Sequence, residues 1–235
     1  SSMNLRIPSF RTMDKLAGHL GRKLMIDSLT LVKAFYDTAF CKKYGYSVET
    51  LPALFVPNTY DMFWNVSLEN FMKRMTKEHQ AFWNKERTAK ADSLKLSKTE
   101  VATLASIIDE ETANNGEKPM IAGMYLNRLR INMPLQADPT IKFAMKEFKI
   151  RRIYNNMLKT ESPYNTYINT GLPPGPIKIA SIAGIDAVLN YVDHKYLYMC
   201  AKEDFSGTHN FAATYREHLN NAIRYRKALN KRNIK

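Results

Sequence analysis

Ser97-Lys98-Thr99-Glu100-Val101-Ala102-Thr103-Leu104-Ala105-Ser106-Ile107-Ile108-Asp109-Glu110-Glu111 is the stretch from which the rest of the chain can be read. Its first four residues have the Ser-x-x-Glu form of a capping box. In that motif a hydroxyl and a carboxylate satisfy the free N–H groups at a helix start, so a helix is expected from about Lys98. Consecutive helical residues are turned about 100° from one another. Val101, Leu104, Ile107 and Ile108 then form one apolar arc, and Glu111 falls roughly 30° from its centre. Asp109 and Glu110 lie more than about 120° away, toward solvent. One acid of three is therefore turned into the protein or into a cleft. Burial disfavours a charged carboxylate and raises its pKa. A glutamic acid that keeps its proton near neutral pH can protonate a leaving-group oxygen, as cleavage of a glycosidic bond requires. The same geometry describes a glutamate at a core margin, tied to an arginine or a helix N-terminus. The wheel leaves both readings open.

Downstream, Pro119 suits the first turn of a second helix running through Leu129. Asp138-Pro139 reads as an N-cap followed by an N1 proline, opening a third helix to about Phe148. Ser162 to Ile179 carries four prolines and two glycines and is expected to be a loop. Ser181 to Tyr191 reads as a helix, Lys195 to Ala201 and Thr208 to Ala212 as a small antiparallel hairpin, and 214–231 as a closing helix. Upstream, Leu5-Arg6-Ile7-Pro8 suggests a strand, and Thr12 to Leu20 and Ser28 to Phe40 suggest helices. Leu51 to Tyr60 is a proline-punctuated extended stretch. Ser67 to Lys85 has an apolar face of Leu68, Phe71, Met72, Met75, Phe82 and Trp83. The lysine-rich segment Lys85 to Lys98 is the expected linker between an N-terminal module, 1–95, and a second domain, 96–235. The class is α+β: helix-rich, with a small antiparallel hairpin, and not a doubly wound sheet.

With 235 residues, 45% of them hydrophobic and 24% charged, the chain is long enough for one large domain or two small ones. Its net charge of +13 favours anionic partners, such as nucleic acid, an anionic lipid surface or an acidic polymer. The cations Arg224, Arg226, Lys227, Lys231, Arg232 and Lys235 suit the C-terminal end of a helix. Aromatic residues do not interleave with basic ones in any nucleic-acid-binding pattern, which argues against that class. Cys41 and Cys200 have no zinc spacing and read as two free, partly buried thiols. His19, His79, His194, His209 and His218 share no ligand spacing with acids, and no phosphate loop or dinucleotide fingerprint occurs, so neither metal nor cofactor is expected. No apolar run approaches the roughly 20 residues that span a bilayer. Ser1-Ser2-Met3 reads as a tag remnant before a truncated chain.

Several blocks, taken in order, resemble one family. Ala105-Ser106-Ile107-Ile108-Asp109-Glu110-Glu111-Thr112 is followed by Asn127-Arg128-Leu129 and by Met133-Pro134-Leu135-Gln136-Ala137-Asp138-Pro139-Thr140. Then come Tyr164-Asn165-Thr166-Tyr167, Gly171-Leu172-Pro173-Pro174-Gly175-Pro176-Ile177, Tyr196-Leu197-Tyr198 and His209-Asn210-Phe211. Together they resemble the endolytic murein transglycosylases, the YceG-like family, over about half of the chain. Leu54 to Tyr60 is similar to a further block of that family, and the segment before it weakly resembles the end of a LysM-like module. Two departures stand out: Asp109 replaces a common Glu, and Lys178-Ile179-Ala180-Ser181 replaces the usual Asn-Pro-Gly after the proline-rich loop.

The resemblance implies non-hydrolytic cleavage between N-acetylmuramic acid and N-acetylglucosamine, leaving 1,6-anhydro ends. Glu111 would be the single acid and then base. An intramolecular hydroxyl nucleophile has a high effective concentration and removes the need for a second carboxylate. Substrate contacts are expected from Asn127, Arg128, Gln136, Asp138, Thr140, Tyr164, Asn165, Thr166, Tyr167, Gly171, Leu172, Pro173, Pro174, Gly175 and His209. Gln136 is the expected neighbour of Glu111. For Arg128 a structural ion pair, orientation of Glu111 and binding of a stem-peptide carboxylate stay open. For Asp138 an N-cap role stays open, as does a structural role for His209. The implied partners are peptidoglycan glycan strands and peptidoglycan synthases. The implied location is the outer face of the cytoplasmic membrane, through an N-terminal membrane helix not included in this sequence. A wall-binding scaffold without catalysis is the alternative from another class.

Overall fold

The computed structural model describes residues 1–232, so Lys235 of the C-terminal basic run lies outside the described residues. Strand β1 (Ser2–Ile7) leads into helix α1 (Met13–Lys23), whose start Thr12 caps by accepting from the Lys15 N–H. The single helix expected over 28–40 is two, α2 (Ser28–Phe35) and α3 (Thr38–Lys43). Asp37 ends one and begins the other: its carboxylate accepts from the Ala39 N–H at 3.0 Å, which makes it a new N-cap. A 3₁₀ turn at Leu51–Leu54 precedes β2 (Asn58–Phe63), which pairs antiparallel with β1 from Ser2↔Phe63 to Ile7↔Asn58.

Helix α4 (Leu68–Phe82) is capped by Ser67. The segment expected to be a linker forms α5 (Lys85–Leu94), because Asn84 caps it and Lys95 ends it in the left-handed region. Helix α6 (Lys98–Glu111) starts at the capping box: Ser97 Oγ accepts from the Glu100 N–H and Glu100 Oε1 from the Ser97 N–H, both at 3.0 Å. Then follow α7 (Lys118–Arg130), α8 (Asp138–Met145) and α9 (Ile182–Leu189). Strands β3 (Tyr198–Ala201) and β4 (His209–Ala212) form the expected hairpin, and α10 (Tyr215–Lys231) closes the chain. The class is α+β, with two separate two-stranded antiparallel sheets among the described residues.

The chain divides into two compact units. The first is Ser1–Ile107 with Pro173–Ile185; its core gathers Leu5, Leu16, Leu20, Leu31, Phe35, Leu54, Phe71 and Met72. Nothing in it establishes a LysM-like module. The second runs from Ile108 to Leu172 and from Asp186 onward, with Ile121, Ala122, Tyr125, Leu135, Ile141 and Val188 buried. Within it α7 lies hard against the chain at 192–194: a Cβ on Gly123 would come within 2.2 Å of the Val192 carbonyl. Among the described residues no helix is long and apolar enough to cross a membrane. Cys41 is buried, Cys200 partly exposed, and both are free thiols.

Candidate active site

The second unit contains an open cleft. Glu111 comes to it from the last turn of α6, and Met124, Tyr125 and Arg128 from one face of α7. Leu135, Gln136 and Asp138 come from the turn into α8, and Tyr167 from the following loop. The other wall is Tyr198 and Met199 of β3 with Tyr215 and His218 of the first turn of α10.

Glu111 is partly exposed, so the cleft reaches it, yet protein packs around its carboxyl. Burial pushes the carboxyl up from its ordinary 4.5 to about 7. A hydrogen bond from Tyr125 opposes that rise, and the charge of Asp138 adds to it. The Tyr125 hydroxyl donates to Glu111 Oε1 at 2.6 Å, and the phenol is itself held well above its usual range by burial. Glu111 Oε2 has no hydrogen-bond partner among the described residues. The site thus holds a carboxyl near half-protonation at neutral pH, fixed by one oxygen and open at the other.

Asp109 is not turned to solvent as the wheel suggests. Its side chain is 3% exposed and meets Lys118 Nζ at 2.7 Å. Helix α6 is buried at every position from Val101 to Ile108, so the turns leading into Asp109 offer no solvent face. Asp138 is not the N-cap either: Ala137 holds that position, Asp138 is the first helical residue, and its carboxylate accepts from the Tyr167 hydroxyl. Gln136 lines the cleft with left-handed backbone (φ 49°), but the hydrogen-bond partner of Glu111 is Tyr125.

Arg128 makes no ion pair among the described residues. It is buried, and burial lowers its pKa. Its Nε donates to the Leu197 carbonyl at 2.6 Å, and its Nη1 to the carbonyls of Pro134 and Leu135 at 2.9 and 3.2 Å.

The remaining expected residues are not among those lining the cleft. Asn127 donates to the carbonyls of His194 and Tyr196. Thr140 and Thr166 are buried and bond each other at 2.9 Å, and Thr166 also accepts from the Ala137 N–H. Asn165, fully buried, donates to Leu158 and Thr160 and accepts from the Tyr167 N–H. Tyr164 packs its ring on Phe143. His209 pairs with Glu117 at 3.0 Å. Gly171 takes a left-handed turn (φ 80°), with Leu172 after it. Pro173, Pro174 and Gly175 belong to the first unit, where a Cβ on Gly175 would fall 2.0 Å from the Glu49 carbonyl oxygen.

Tyr125, Tyr215 and His218 are cleft residues that the sequence did not single out, and Tyr198 stood out only within the Tyr196-Leu197-Tyr198 block. Tyr125 had a usable signal: it stands three residues before Arg128, on the same helix face.

A model of the YceG-like family matches residues 1–224. The chain belongs to the YceG-like family. An endolytic murein transglycosylase of Bacillus subtilis (strain 168) is 36% identical to this YceG-like chain over 194 residues, 80% of the chain and 52% of that protein. One from Streptococcus pneumoniae serotype 2 (strain D39 / NCTC 7466) is 27% identical over 225 residues, 84% of the chain and 40% of that protein. This YceG-like chain therefore spans about half the length of the curated relatives it matches. The crystal structure of a yceG-like protein from Listeria monocytogenes matches 92% of the chain and 75% of that structure's chain, with a TM-score of 0.76 and 31% identity.

Proposed function

We propose that this chain cuts peptidoglycan glycan strands between N-acetylmuramic acid and N-acetylglucosamine, with Glu111 as proton carrier. The observation that carries this reading is a carboxyl pushed to about 7 in an open cleft, with one oxygen bound by a buried tyrosine. Protonated Glu111 donates to the glycosidic oxygen, and the bond from that oxygen to the muramyl anomeric carbon breaks. The glutamate then takes the proton of the muramyl 6-hydroxyl, whose oxygen bonds to the same carbon and closes a 1,6-anhydro ring. Tyr125 restricts the carboxyl to one orientation, so Oε2 faces the substrate. Arg128, Gln136, Asp138 and Tyr167 contact the strand, while Asn127, Thr140, Asn165 and Thr166 hold those residues in place.

Asp138 supports a second reading. A second carboxylate in the same cleft could activate water, and the product would then be a reducing end. Mass spectrometry of products from purified glycan strands separates the two. Anhydro-muramyl ends support the first reading, and reducing ends alone overturn it in favour of hydrolysis by Glu111 and Asp138. If the protein binds strands and never cleaves them, it is a scaffold. The enzymatic reading places the chain outside the cytoplasmic membrane, with an N-terminal membrane helix and synthase partners of the kind the resemblance implies. It also takes residues 1–95 as a helical module with a LysM-like remnant and 96–235 as the catalytic part.

A further inference from the structure

The wall of the cleft made by β3 and α10 has no part in the proton transfers, yet its composition is specific. The rings of Tyr198 and His218 stack with centroids 5.2 Å apart and planes 21° from parallel. Tyr215 approaches Tyr198 at 5.8 Å and His218 at 6.3 Å. The three rings form one cluster, since Tyr215 and His218 are a helical turn apart on α10. Tyr215 is 59% exposed although it is large and aromatic. His218 Nδ1 is buried without a hydrogen-bond partner among the described residues. The Arg128 guanidinium sits 5.3 Å from the Tyr198 ring centroid, and although the charge of Glu111 acts on it, it makes no ion pair among the described residues.

We infer that the exposed Tyr215 ring, backed by the stacked pair Tyr198 and His218, forms a sugar-stacking subsite, and that the Arg128 charge beside it favours a strand bearing carboxylates over a neutral one. Pyranose rings present flat C–H faces to aromatic rings, and ligand clefts combine such faces with a few oriented polar groups. Burial and the Arg128 charge both lower the His218 pKa, so the imidazole stays neutral and able to stack. The two walls divide the work: one holds the acid, and the other holds a ring of the strand at a set distance from it. The inference rests on the proposed glycan activity and deepens it by naming where a ring of the strand lies.

The test is binding, measured without turnover. In a Glu111→Gln background, titration calorimetry with soluble uncrosslinked glycan strands carrying stem peptides gives Kd for Tyr215→Ala and Tyr215→Phe. Tyr215 is exposed, so neither change opens a core. Tyr215→Ala is expected to raise Kd about tenfold, and Tyr215→Phe, which keeps the ring, to stay within about threefold of the parent. An unchanged Kd for Tyr215→Ala overturns the subsite, as does equal weakening by both changes. A neutral N-acetylglucosamine hexamer is expected to bind the parent more weakly than the strands; equal affinity overturns the role given to Arg128. Cleavage by the unsubstituted protein is assayed separately, so loss of the subsite is distinguishable from loss of the activity.

Discussion

Replacing Glu111 by Gln should abolish cleavage and, at alkaline pH, make the protein more stable. The carboxyl rises from 4.5 to about 7 on folding, because burial penalises its charge. Each pH unit between those values corresponds to about 1.4 kcal/mol, so the charged form carries a penalty of about 3 kcal/mol above pH 7. The sign follows from proton binding. Between pH 4.5 and 7 the folded state keeps a proton that the unfolded chain has lost, so stability falls as pH rises through this window. Gln has no charge to bury, and the Tyr125 hydroxyl can still donate to its amide oxygen. The stability gain of Glu111→Gln should therefore be near zero at pH 4, grow through the window and level off near 3 kcal/mol above pH 8. Urea titrations of both proteins at pH 4, 6 and 8.5 measure it, with product analysis on the same samples. A gain independent of pH, or a loss at pH 8.5, refutes the view that Glu111 is held in a charge-averse site.

Tyr125→Phe removes the bond that favours the carboxylate, so the pKa of Glu111 should rise further by about one unit. The alkaline limb of the pH profile of kcat/KM should move up with it, and a limb that stays in place or moves down argues against Glu111 as the acid. Lys118→Met leaves the buried Asp109 without this cation and should destabilise by about 3–5 kcal/mol at pH 7. Adding Asp109→Asn should recover part of that loss in the same melts. Gly123→Ala drives a methyl into the Val192 carbonyl and should destabilise by about 1–3 kcal/mol, with activity on glycan strands falling as α7 shifts.

Local rules were legible where one motif decides the outcome. The capping box at Ser97, the hairpin at 198–212 and the inward turn of Glu111 all follow from spacing of a few residues. Non-local outcomes were not. The pairing of β1 with β2 joins residues more than fifty apart, and no turn signal announces it. The placement of Asp109 failed because a wheel presumes a solvent face, and α6 has none over Val101 to Ile108. Helix α5 was hidden by its lysines and buries little besides Ala91, so the Asn84 cap was the better signal. Several residues of the motifs that carry the resemblance make hydrogen bonds no local pattern announces: Asn165 donates to the Leu158 carbonyl, and Thr140 and Thr166 bond each other across 26 residues. The aromatic wall is assembled from β3 and α10, which become neighbours only in the folded unit.

Arg128 reaches in two directions at once. One nitrogen grips the strand-side segment at Leu197, and another grips the turn at Pro134 and Leu135. A single planar group thus braces the segment before β3 against the turn into α8 and sets the spacing between these two banks of the cleft. If the chain acts on glycan strands as proposed, a cleft whose width is preset in this way receives the strand without first having to close on it.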